Sequence, residues 1–355
     1  MRLAIITCYK QPDYVRAVTL RRALALNQSI EITIIKNRQT NWLRYPEVMV
    51  KLIWLRLTQR PDIYVLTFRG YEILPFVKLL SWPRPLIYDE FVNPLEWLAE
   101  PRPEFWVKLI PKSLLKRFYR QLLNGCRYVL ADTDVHADYS SKLLALPQEK
   151  FVALPVSTDE NLFLRLGNES LKTTTKFSVF YYGNMLPLHG LEYVLAAAET
   201  LKDRPIEFRI IGGNQRTQMM IDKAVGQGAN IKYQSWVKFD KLPPIIQQAD
   251  LCLGGPFGNT NQAKYVITGK TYQFLASSKP TLVGNNLASD LFKDKNNCLK
   301  VPLADSHALV EAIIWAFDHP KQLNQIGKSG QKLYLVNFSN KILADKLNKL
   351  IKQLP

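Results

Sequence analysis

The sequence predicts an α/β protein made of two doubly wound parallel sheets, and three observations lead to this fold class. Short, continuous apolar runs alternate with longer segments of helical periodicity along the chain. The polar segment 166–176, which includes three consecutive threonines, interrupts this alternation near the middle. The alternation then restarts and continues towards the C-terminus. Apolar strands separated by helices are typical of parallel sheets that are covered on both faces.

The first half of the chain contains six strand candidates. They lie at residues 3–7, 30–35, 63–67, 86–88, 128–131 and 151–154. Segments with helical spacing lie between them, at residues 15–26, 48–57 and 72–80. We assign these elements to a first domain, residues 1–168, because a chain of 355 residues is long for one domain and ample for two.

The second half repeats this organisation without repeating the sequence. Its strand candidates lie at residues 177–182, 206–211, 231–233, 251–253, 281–283 and 298–301. Its helical segments lie at residues 191–201, 242–248, 270–276, 307–317 and 341–352. We assign residues 174–338 to a second domain. Ligands of such folds bind at the carboxyl ends of the strands, so we expect the two halves to face a central cleft.

Composition and charge narrow the class of partner. Hydrophobic residues make up 47% of the chain and charged residues 22%, which is ordinary for a globular protein. The net charge of +17 indicates an anionic partner, and nucleic acid, phospholipid head groups and phosphorylated small molecules all qualify. Basic residues occur throughout both halves and no DNA-binding motif is present. We therefore expect no specific nucleic-acid partner.

Cysteine and histidine spacing gives no support for a metal or disulfide framework. The cysteines are Cys8, Cys126, Cys252 and Cys298, and the histidines are His136, His189, His307 and His319. None forms a CxxC pair or a metal-binding spacing. No run approaches the roughly 20 apolar residues that span a bilayer, and the first apolar run is too short for an export signal. We expect a cytoplasmic protein with reduced thiols and no metal or resident cofactor.

Loops after the strands of the second half are the main ligand-binding candidates. Their candidate residues are Gly183, Asn184, His189, Gly190, Gly213, Asn214 and Gly258. Glycines let a backbone come close to a ligand, and the helix that begins near Gly190 offers free N–H groups to an anion such as a diphosphate. A simple strand-to-helix turn remains the alternative for each of these loops.

Lys270 and Gln273 add side-chain chemistry near the start of a later helix. They are three residues apart and therefore share one helix face. Lys270 can meet a phosphate as a point charge, and Gln273 can hydrogen-bond to ribose hydroxyls. The alternative for Lys270 is a solvated surface lysine, which is the commoner fate of this residue type.

In the first half, Asp89 and Glu90 end a strand, where carboxylates can position hydroxyls or accept a proton. Adjacent acids are also frequent in plain loops. The segments 7–16 and 68–70 follow two other strands of the same predicted sheet. Because the carboxyl ends of parallel strands cluster, we expect these three loops to lie along one rim.

A basic, apolar segment at residues 101–123 has a different character. Aromatic and aliphatic residues are interleaved with six Lys or Arg residues, and Glu104 is its one acid. The nearby segment 79–84 adds a second apolar and basic tip. A helix of this kind suits an anionic membrane surface. The alternative is a core-packed helix with a solvated basic face.

These features together resemble the GT-B glycosyltransferases of retaining family 4. The resemblance covers nearly the whole chain. Residues 129–134 and 150–163 resemble that group's crossing between domains, and YYGNMLPLHGLEYVLAAAETL at 181–201 resembles its opening of the donor domain. Residues 249–284 are similar to a branch with a Phe-Gly turn, a lysine and an acid. The final segment, 339–355, is expected to return to the first domain, as in this family.

The resemblance implies a nucleoside-diphosphate sugar as donor, bound mainly by the second domain. Asn184 and His189 stand where the family often has a basic pair for the diphosphate. Gln273 and Tyr265 replace its two glutamates, and Lys270 is retained. A threonine, Thr268, replaces the proline before that lysine. Asp89 matches a position close to the transferred sugar.

The sequence therefore leads to an enzyme as the first hypothesis. It would transfer a glycosyl group to an acceptor hydroxyl, with Asp89, Lys270 and His189 as catalytic candidates. The membrane-contact segment suggests a glycan or lipid-linked acceptor and a peripheral position at the cytoplasmic membrane face. A second hypothesis, motivated by Gln273 and Tyr265, is a degenerate GT-B protein that binds a nucleotide or glycan as a scaffold. A third is a basic nucleic-acid-binding protein.

Overall fold

The computed structural model describes residues 1–97, 111–164 and 176–354. The chain forms two compact units, and each has its own sheet. The first unit comprises Met1–Val156 and Asn340–Pro355, and the second comprises Ser157–Ser339. The division follows directly after the last strand of the first sheet and so comes before the polar segment 166–176. Most of that segment lies outside the described residues.

The first unit is a six-stranded parallel sheet with helices on both faces. Its strands are β1 Arg2–Thr7, β2 Glu31–Lys36, β3 Ile63–Leu66, β4 Leu86–Asp89, β5 Tyr128–Ala131 and β6 Phe151–Ala153. They are ordered β2-β1-β3-β4-β5-β6. Its first helices are α1 Val15–Ala25, α2 Arg44–Thr58, α3 Leu74–Ser81, α4 Pro94–Trp97, α5 Lys112–Asn124 and α6 Asp134–Leu144.

The second unit repeats the architecture. It begins with the short helix α7 Glu160–Phe163. Its strands are β7 Phe177–Tyr182, β8 Ile206–Ile211, β9 Ile231–Gln234, β10 Leu251–Leu253, β11 Thr281–Asn285 and β12 Leu299–Pro302, ordered β12-β11-β10-β7-β8-β9. Its other helices are α8 Leu191–Thr200, α9 Gln215–Gly226, α10 Leu242–Gln247, α11 Gly269–Ala276, α12 Ser306–Asp318 and α13 Pro320–Asn337. The last helix of the chain, α14 Asn340–Lys352, belongs to the first unit.

The predicted fold class, two doubly wound parallel sheets, is confirmed. Each of the twelve predicted strands coincides with an observed strand to within two residues at either end. The reason is burial, because every residue of β3, β4, β5 and β10 is buried. Strands that are covered on both faces must be apolar throughout, and this makes them readable as continuous runs.

Alternate residues of β1 divide the core of the first unit between the two faces of its sheet. Ala4 and Ile6 pack on the face that holds α2, α3, α5 and α6. Leu3 and Ile5 pack on the opposite face, with α1 and α14. This alternation is the ordinary consequence of the two-residue period of a strand. It places α2, α3 and α5 side by side on one face.

Helix α14 completes the second of these faces. Leu343, Leu347 and Ile351 lie in the core beside α1. At its polar margin, Asn27 donates a hydrogen bond to Asn348 over 2.7 Å, and the Tyr128 hydroxyl donates to Gln353 over 3.1 Å. Without α14, one side of the first sheet would expose this apolar surface to water.

Several helices were not predicted from periodicity, notably α6, α9 and α13. Two of them begin at side-chain caps, since the Thr133 hydroxyl accepts from the backbone N–H of His136 and the Asn214 carbonyl accepts from that of Thr217. Such caps are a helix-start signal of Thr and Asn. Within the described part of the chain, no helix is both long and apolar enough to cross a membrane.

Candidate functional site

The most unusual side chain of the second unit is Lys270, in the first turn of α11. It is 6% exposed, and its Nζ lies 4.1 Å from the centroid of the Tyr181 ring on β7. No described residue accepts a hydrogen bond from this nitrogen. Burial lowers the pKa of Lys270 to about 7. A buried ammonium without a partner destabilises the folded chain, and an anionic ligand would relieve that destabilisation.

His189 lies beside Lys270 at the same end of the sheet. A Cβ added at Gly183 would lie 3.3 Å from His189 Cε1 and 3.6 Å from Lys270 Nζ, so both side chains converge on this glycine. The Tyr181 hydroxyl donates to the His189 carbonyl over 2.7 Å and fixes the loop. Burial and the charge of Lys270 hold the pKa of His189 well below its usual range. The imidazole is therefore neutral at pH 7 and offers a hydrogen bond rather than a charge.

Gln273 lies one turn further along α11 and is 3% exposed. Its Oε1 has no hydrogen-bond partner among the described residues, and the same is true of His189 Nδ1. Thr268 fixes the start of this helix, because its hydroxyl donates to the carbonyl of Gly254 over 2.6 Å. We call Lys270, His189 and Gln273 the polar cluster. Buried polar atoms without partners are rare in folded proteins, so the polar cluster is the leading candidate for a ligand site.

Two predicted ligand-binding glycines, Gly190 and Gly258, have a packing role in the structure. A Cβ at Gly190 would lie 2.5 Å from the carbonyl carbon of Phe257, and one at Gly258 would lie 2.1 Å from the Pro187 oxygen. These glycines allow the loops after β7 and β10 to pack backbone against backbone. The Gly258 N–H donates to the Leu188 carbonyl over 3.0 Å. The absence of a side chain at Gly190 and Gly258, which suggested room for a ligand, is therefore explained by the close approach of the neighbouring loop.

The backbone donors expected near Gly183 and Gly190 are also occupied. The Gly183 N–H donates to Ile211 over 3.0 Å, and the Gly190 N–H donates to Pro187 over 3.2 Å. The remaining donors at this point are those of the first turn of α8, which has no side-chain cap. The uncapped N–H groups that follow this loop are thus those at the N-terminus of α8 and not the two glycine amides.

The other predicted residues of this unit lie in the loop after β8 and in the β7–α8 loop. Asn214 is exposed, and its side-chain oxygen caps α9 by accepting from the Thr217 N–H over 3.1 Å. A Cβ at Gly213 would lie 2.4 Å from the Thr217 hydroxyl, so this glycine makes room for the cap. Asn184 is exposed in the β7–α8 loop. Capping of α9 explains why Asn214 and Gly213 occupy these positions, and it requires no ligand.

In the first unit, Asp89 is fully buried and forms an ion pair with Arg16. Arg16 Nη2 lies 2.8 Å from Asp89 Oδ1, and both side chains have no exposed surface. Arg16 also donates to the carbonyls of Leu154 and Pro155. This burial argues against the predicted contact between Asp89 and sugar hydroxyls, because no carboxylate oxygen faces solvent. The partner of the Asp89 carboxylate is thus the guanidinium of Arg16, which precedes it by 73 residues in the sequence.

The neighbouring acid, Glu90, is buried as well. It accepts hydrogen bonds from Asn93, Ser140 and Tyr119, the last over 2.9 Å. Burial raises the pKa of this carboxyl despite these donors. Glu90 therefore ties the end of β4 to α5 and α6, and neither acid of the predicted pair is presented to a ligand.

The three predicted rim loops of the first unit do come together, through aromatic side chains. We call Tyr9, Tyr14, Phe68 and Phe91 the aromatic cluster. Phe68 is its centre, since its ring lies 5.1 Å from Tyr9, 4.9 Å from Tyr14 and 5.1 Å from Phe91 between centroids. The guanidinium of Arg69 lies 5.5 Å from the Tyr9 ring. Three of these rings are partly exposed, and exposed aromatic faces are suited to stacking on sugar rings.

The part of the chain that the structure describes contains no cluster of side chains suited to bind a metal ion. There, no three His, Cys, Asp or Glu side chains lie close enough together to hold an ion. All four cysteines are buried free thiols, and burial raises the pKa of each thiol to about 12.

The fold and the polar cluster define a GT-B protein with an anion-binding candidate at the edge of its second sheet. Residues 176–319, within the second unit, match the family model described as glycosyl transferases group 1. The resemblance drawn from the sequence, to GT-B glycosyltransferases of this group, is confirmed. No curated protein matches the chain by sequence.

Solved structures share the fold over the full chain. HepE from Anabaena, in complex with UDP-glucose, has 13% identity over 100% of both chains and a TM-score of 0.75. Sucrose-phosphate synthase from Thermosynechococcus elongatus has 13% identity, covers 99% of this chain and 98% of its own, and has a TM-score of 0.75. The trehalose-6-phosphate protein from E. coli, bound with UDP-2-fluoro glucose, has 12% identity over 100% of both chains and a TM-score of 0.72.

Proposed function

We propose that the protein is a glycosyltransferase that moves a sugar from a nucleoside-diphosphate sugar to an acceptor hydroxyl, with retention of anomeric configuration. The polar cluster carries this proposal, because Lys270 and His189 converge beside Gly183 and all three side chains hold a buried polar atom that has no partner among the described residues. A diphosphate supplies the negative charge and the acceptors that Lys270 and His189 lack. Gln273 Oε1 is an acceptor, and a ribose hydroxyl is the donor it lacks.

The polar cluster is also suited to stabilise the leaving group of the reaction. Departure of a nucleoside diphosphate develops negative charge on its leaving oxygen. A fixed ammonium and a helix N-terminus in a low-dielectric site stabilise that charge without reorganisation, and one such group typically contributes a factor of about 10²–10³ in rate. We propose Lys270 as this electrostatic group, assisted by a hydrogen bond from neutral His189.

Uridine is the first nucleoside to test. HepE and the E. coli protein were solved with UDP-glucose and UDP-2-fluoro glucose. Their low identity leaves the base open for this chain, so the adenosine, guanosine and thymidine diphosphate sugars belong in the same comparison.

We propose that the acceptor is a glycan or lipid-linked glycan and that the aromatic cluster of the first unit stacks against one of its sugar rings. Tyr9 and Tyr14 combine a ring face with a hydroxyl donor, which suits a sugar. The proposal places the protein at the cytoplasmic face of a membrane, in the synthesis of an envelope polysaccharide or glycolipid.

A degenerate GT-B scaffold is the second candidate function, and one observation favours it. Gln273 and Tyr265 stand where the family that this sequence resembles has glutamates, and both side chains are buried. A scaffold of this kind would bind a nucleotide through the same polar cluster without transferring the sugar.

The test has two readouts on the full chain. Thermal melting against a panel of nucleoside diphosphates and their sugars measures binding, since a ligand specific for the folded state raises the melting temperature. Release of nucleoside diphosphate from the stabilising sugar donor, with and without glycan acceptors, measures turnover. Stabilisation with turnover supports the enzyme, stabilisation alone supports the scaffold, and no stabilisation by any nucleotide contradicts both.

A further inference from the structure

Helix α2 of the first unit is apolar on two faces. Val48, Leu52 and Leu55 point into the core. A second stripe follows the helical spacing i, i+3, i+4, i+7 and consists of Val50, Ile53, Trp54 and Leu57. These four side chains are between 41% and 72% exposed. A surface helix ordinarily turns polar residues outward, so an apolar outer stripe indicates that something covers it.

Neighbouring elements extend this stripe. Helix α3 packs beside α2, and its exposed side contributes Leu79, followed by Trp82, which are 73% and 76% exposed. Arg56 of α2 donates to the Trp82 carbonyl over 3.3 Å, so the two elements meet at this point. We call Val50, Ile53, Trp54, Leu57, Leu79 and Trp82 the outer apolar patch.

Basic residues border the patch. Helix α5 packs beside α3, where Lys78 donates to the Gln121 carbonyl over 3.0 Å. It exposes Leu114 and Phe118, and it carries no acid. Its exposed basic residues are Lys112, Lys116, Arg117 and Arg120. The combination of exposed tryptophan and leucine with adjacent Lys and Arg is the composition of a surface that binds an anionic bilayer.

We propose that the outer apolar patch docks the first unit onto an anionic lipid bilayer, with the basic side chains of α5 against the head groups. Tryptophans at positions 54 and 82 fit the interface between acyl chains and head groups. A second copy of the chain is a poorer occupant, because a symmetric contact would bring the two sets of basic residues together. The predicted membrane segment 101–123 is described only from residue 111. It contributes the basic side chains of α5, and the outer apolar patch lies entirely outside it.

The inference rests on the membrane position that belongs to the proposed function. Flotation with vesicles tests it without nucleotide or acceptor, so its failure is separable from failure of the proposed transferase activity. The full chain should float with vesicles containing about one third phosphatidylglycerol and bind neutral phosphatidylcholine vesicles at least about tenfold more weakly. The triple variant Ile53→Ser, Trp54→Ser, Leu57→Ser should lose about tenfold or more in partitioning. Replacing Lys112, Lys116, Arg117 and Arg120 by Gln should lower partitioning onto anionic vesicles by up to about a thousandfold, at about 1 kcal/mol for each charge.

Matched controls use apolar residues exposed elsewhere. Val225→Ser, Leu335→Ser, Val336→Ser changes three exposed side chains of the second unit and should float like the unsubstituted chain. Nucleotide-induced thermal stabilisation should be equal in all variants. Flotation that survives the α2 substitutions, or that ignores lipid charge, overturns the proposal. A concentration-dependent dimer that the α2 substitutions dissolve would assign the patch to a second copy and also overturn it.

A labelling experiment guards against a misfolded triple variant. The four native cysteines are buried, so a single exposed cysteine reacts selectively with a maleimide. Anionic vesicles should slow labelling of Leu57→Cys about tenfold and leave Val336→Cys unchanged. Equal labelling rates of Leu57→Cys with and without vesicles would contradict docking through α2.

Discussion

The ammonium nitrogen of Lys270 lies 4.1 Å from the centroid of the Tyr181 ring, and no described residue hydrogen-bonds to it. The ring face offers some attraction to a cation, about 2 kcal/mol when the pair is desolvated. That attraction is smaller than the effect of burial, which lowers the pKa of Lys270 to about 7. The folded chain therefore keeps this side chain in an unfavourable place, as binding sites often do.

The first prediction follows from this conflict between stability and binding. Lys270→Met keeps the volume and removes the charge, so we expect the ligand-free protein to melt at a higher temperature at pH 7. A pKa displaced from 10.5 to about 7 corresponds to roughly 5 kcal/mol, which sets the upper limit of the gain. The variant should at the same time lose nucleotide-induced stabilisation.

Proton binding at Lys270 determines how the stability gained by Lys270→Met changes with pH. Between pH 7 and 10.5 the unfolded chain binds more protons at this lysine than the folded chain, so the stability of the unsubstituted protein rises with pH. The advantage of Lys270→Met should therefore shrink over that window. Lys202→Met, at an exposed lysine, is the control and should change neither property. A Lys270→Met protein that still responds to nucleotides would exclude this lysine from the site.

A second prediction concerns the affinity for a nucleoside-diphosphate sugar. A bound diphosphate favours the ammonium form of Lys270 and raises its pKa above the ligand-free value of about 7. Affinity should be level below pH 7 and fall by up to about tenfold per pH unit above it. Calorimetric titration with a nucleotide sugar checks this, because its phosphates do not titrate near neutrality. Lys270→Met should show no such slope, and an equal slope in both proteins would assign the titration elsewhere.

The fold was predictable from the sequence because buried parallel strands leave a simple signature. Residues 63–66 and 128–131 are apolar without interruption and fully buried. Lys270 and Gln273 were also placed on one helix face by their spacing, and the structure brings His189 beside Lys270. Their burial could not be predicted, since it depends on Tyr181 and on loops distant in sequence. Surface exposure is the usual state of a lysine, and only the packing shows the exception.

Asp89 and α2 show where sequence reasoning was insufficient. Nothing near Asp89 in the sequence identifies Arg16 as its partner, so a carboxylate at a strand end was assigned to ligand binding. In α2, the stripe through Val48 and Leu52 and the stripe through Trp54 and Leu57 are both apolar. Periodicity cannot decide which of two apolar stripes faces the core. The structure shows that the stripe through Val48 and Leu52 packs against the sheet and α3.

A third prediction tests the role of Gln273 against the ribose. Gln273→Leu should weaken nucleoside-diphosphate binding about tenfold, the usual effect of removing one hydrogen bond. The same loss should occur when the unsubstituted protein meets the 2′,3′-dideoxy analogue. The variant should not distinguish the two nucleotides, and additive losses would show that Gln273 contacts another group. Gln273→Glu separates the two proposed functions, because a latent enzyme should gain donor affinity or rate and a scaffold should gain neither.

The fourth prediction treats Asp89 as a structural residue. Asp89→Ala should destabilise the protein by about 3–5 kcal/mol, because it leaves the buried Arg16 guanidinium without its counter-charge. The double variant Arg16→Met, Asp89→Leu removes both charges and should recover most of that loss. Urea unfolding of the single and double variants measures this. A stable Asp89→Ala protein that has lost transfer activity would instead restore a direct role for the carboxylate.

The last prediction concerns Gly190, where backbone geometry and close packing coincide. Its φ of +67° is a left-handed conformation, and an added Cβ would lie 2.5 Å from the Phe257 carbonyl carbon. Gly190→Ala should therefore lower the unfolding free energy by about 2 kcal/mol or more, from backbone strain and displacement of the β10 loop.

The matched control is Gly226→Ala, near the end of α9. An added Cβ there meets nothing within 4 Å, so this variant should keep or slightly increase stability. Because the Gly190 loop also holds His189 beside Lys270, Gly190→Ala should weaken nucleotide binding as well, which Gly226→Ala should not. Denaturant unfolding measures the stability of both variants, and nucleotide titration measures their affinity. Equal stability of the two proteins would mean that the packed loops do not set the geometry of the polar cluster.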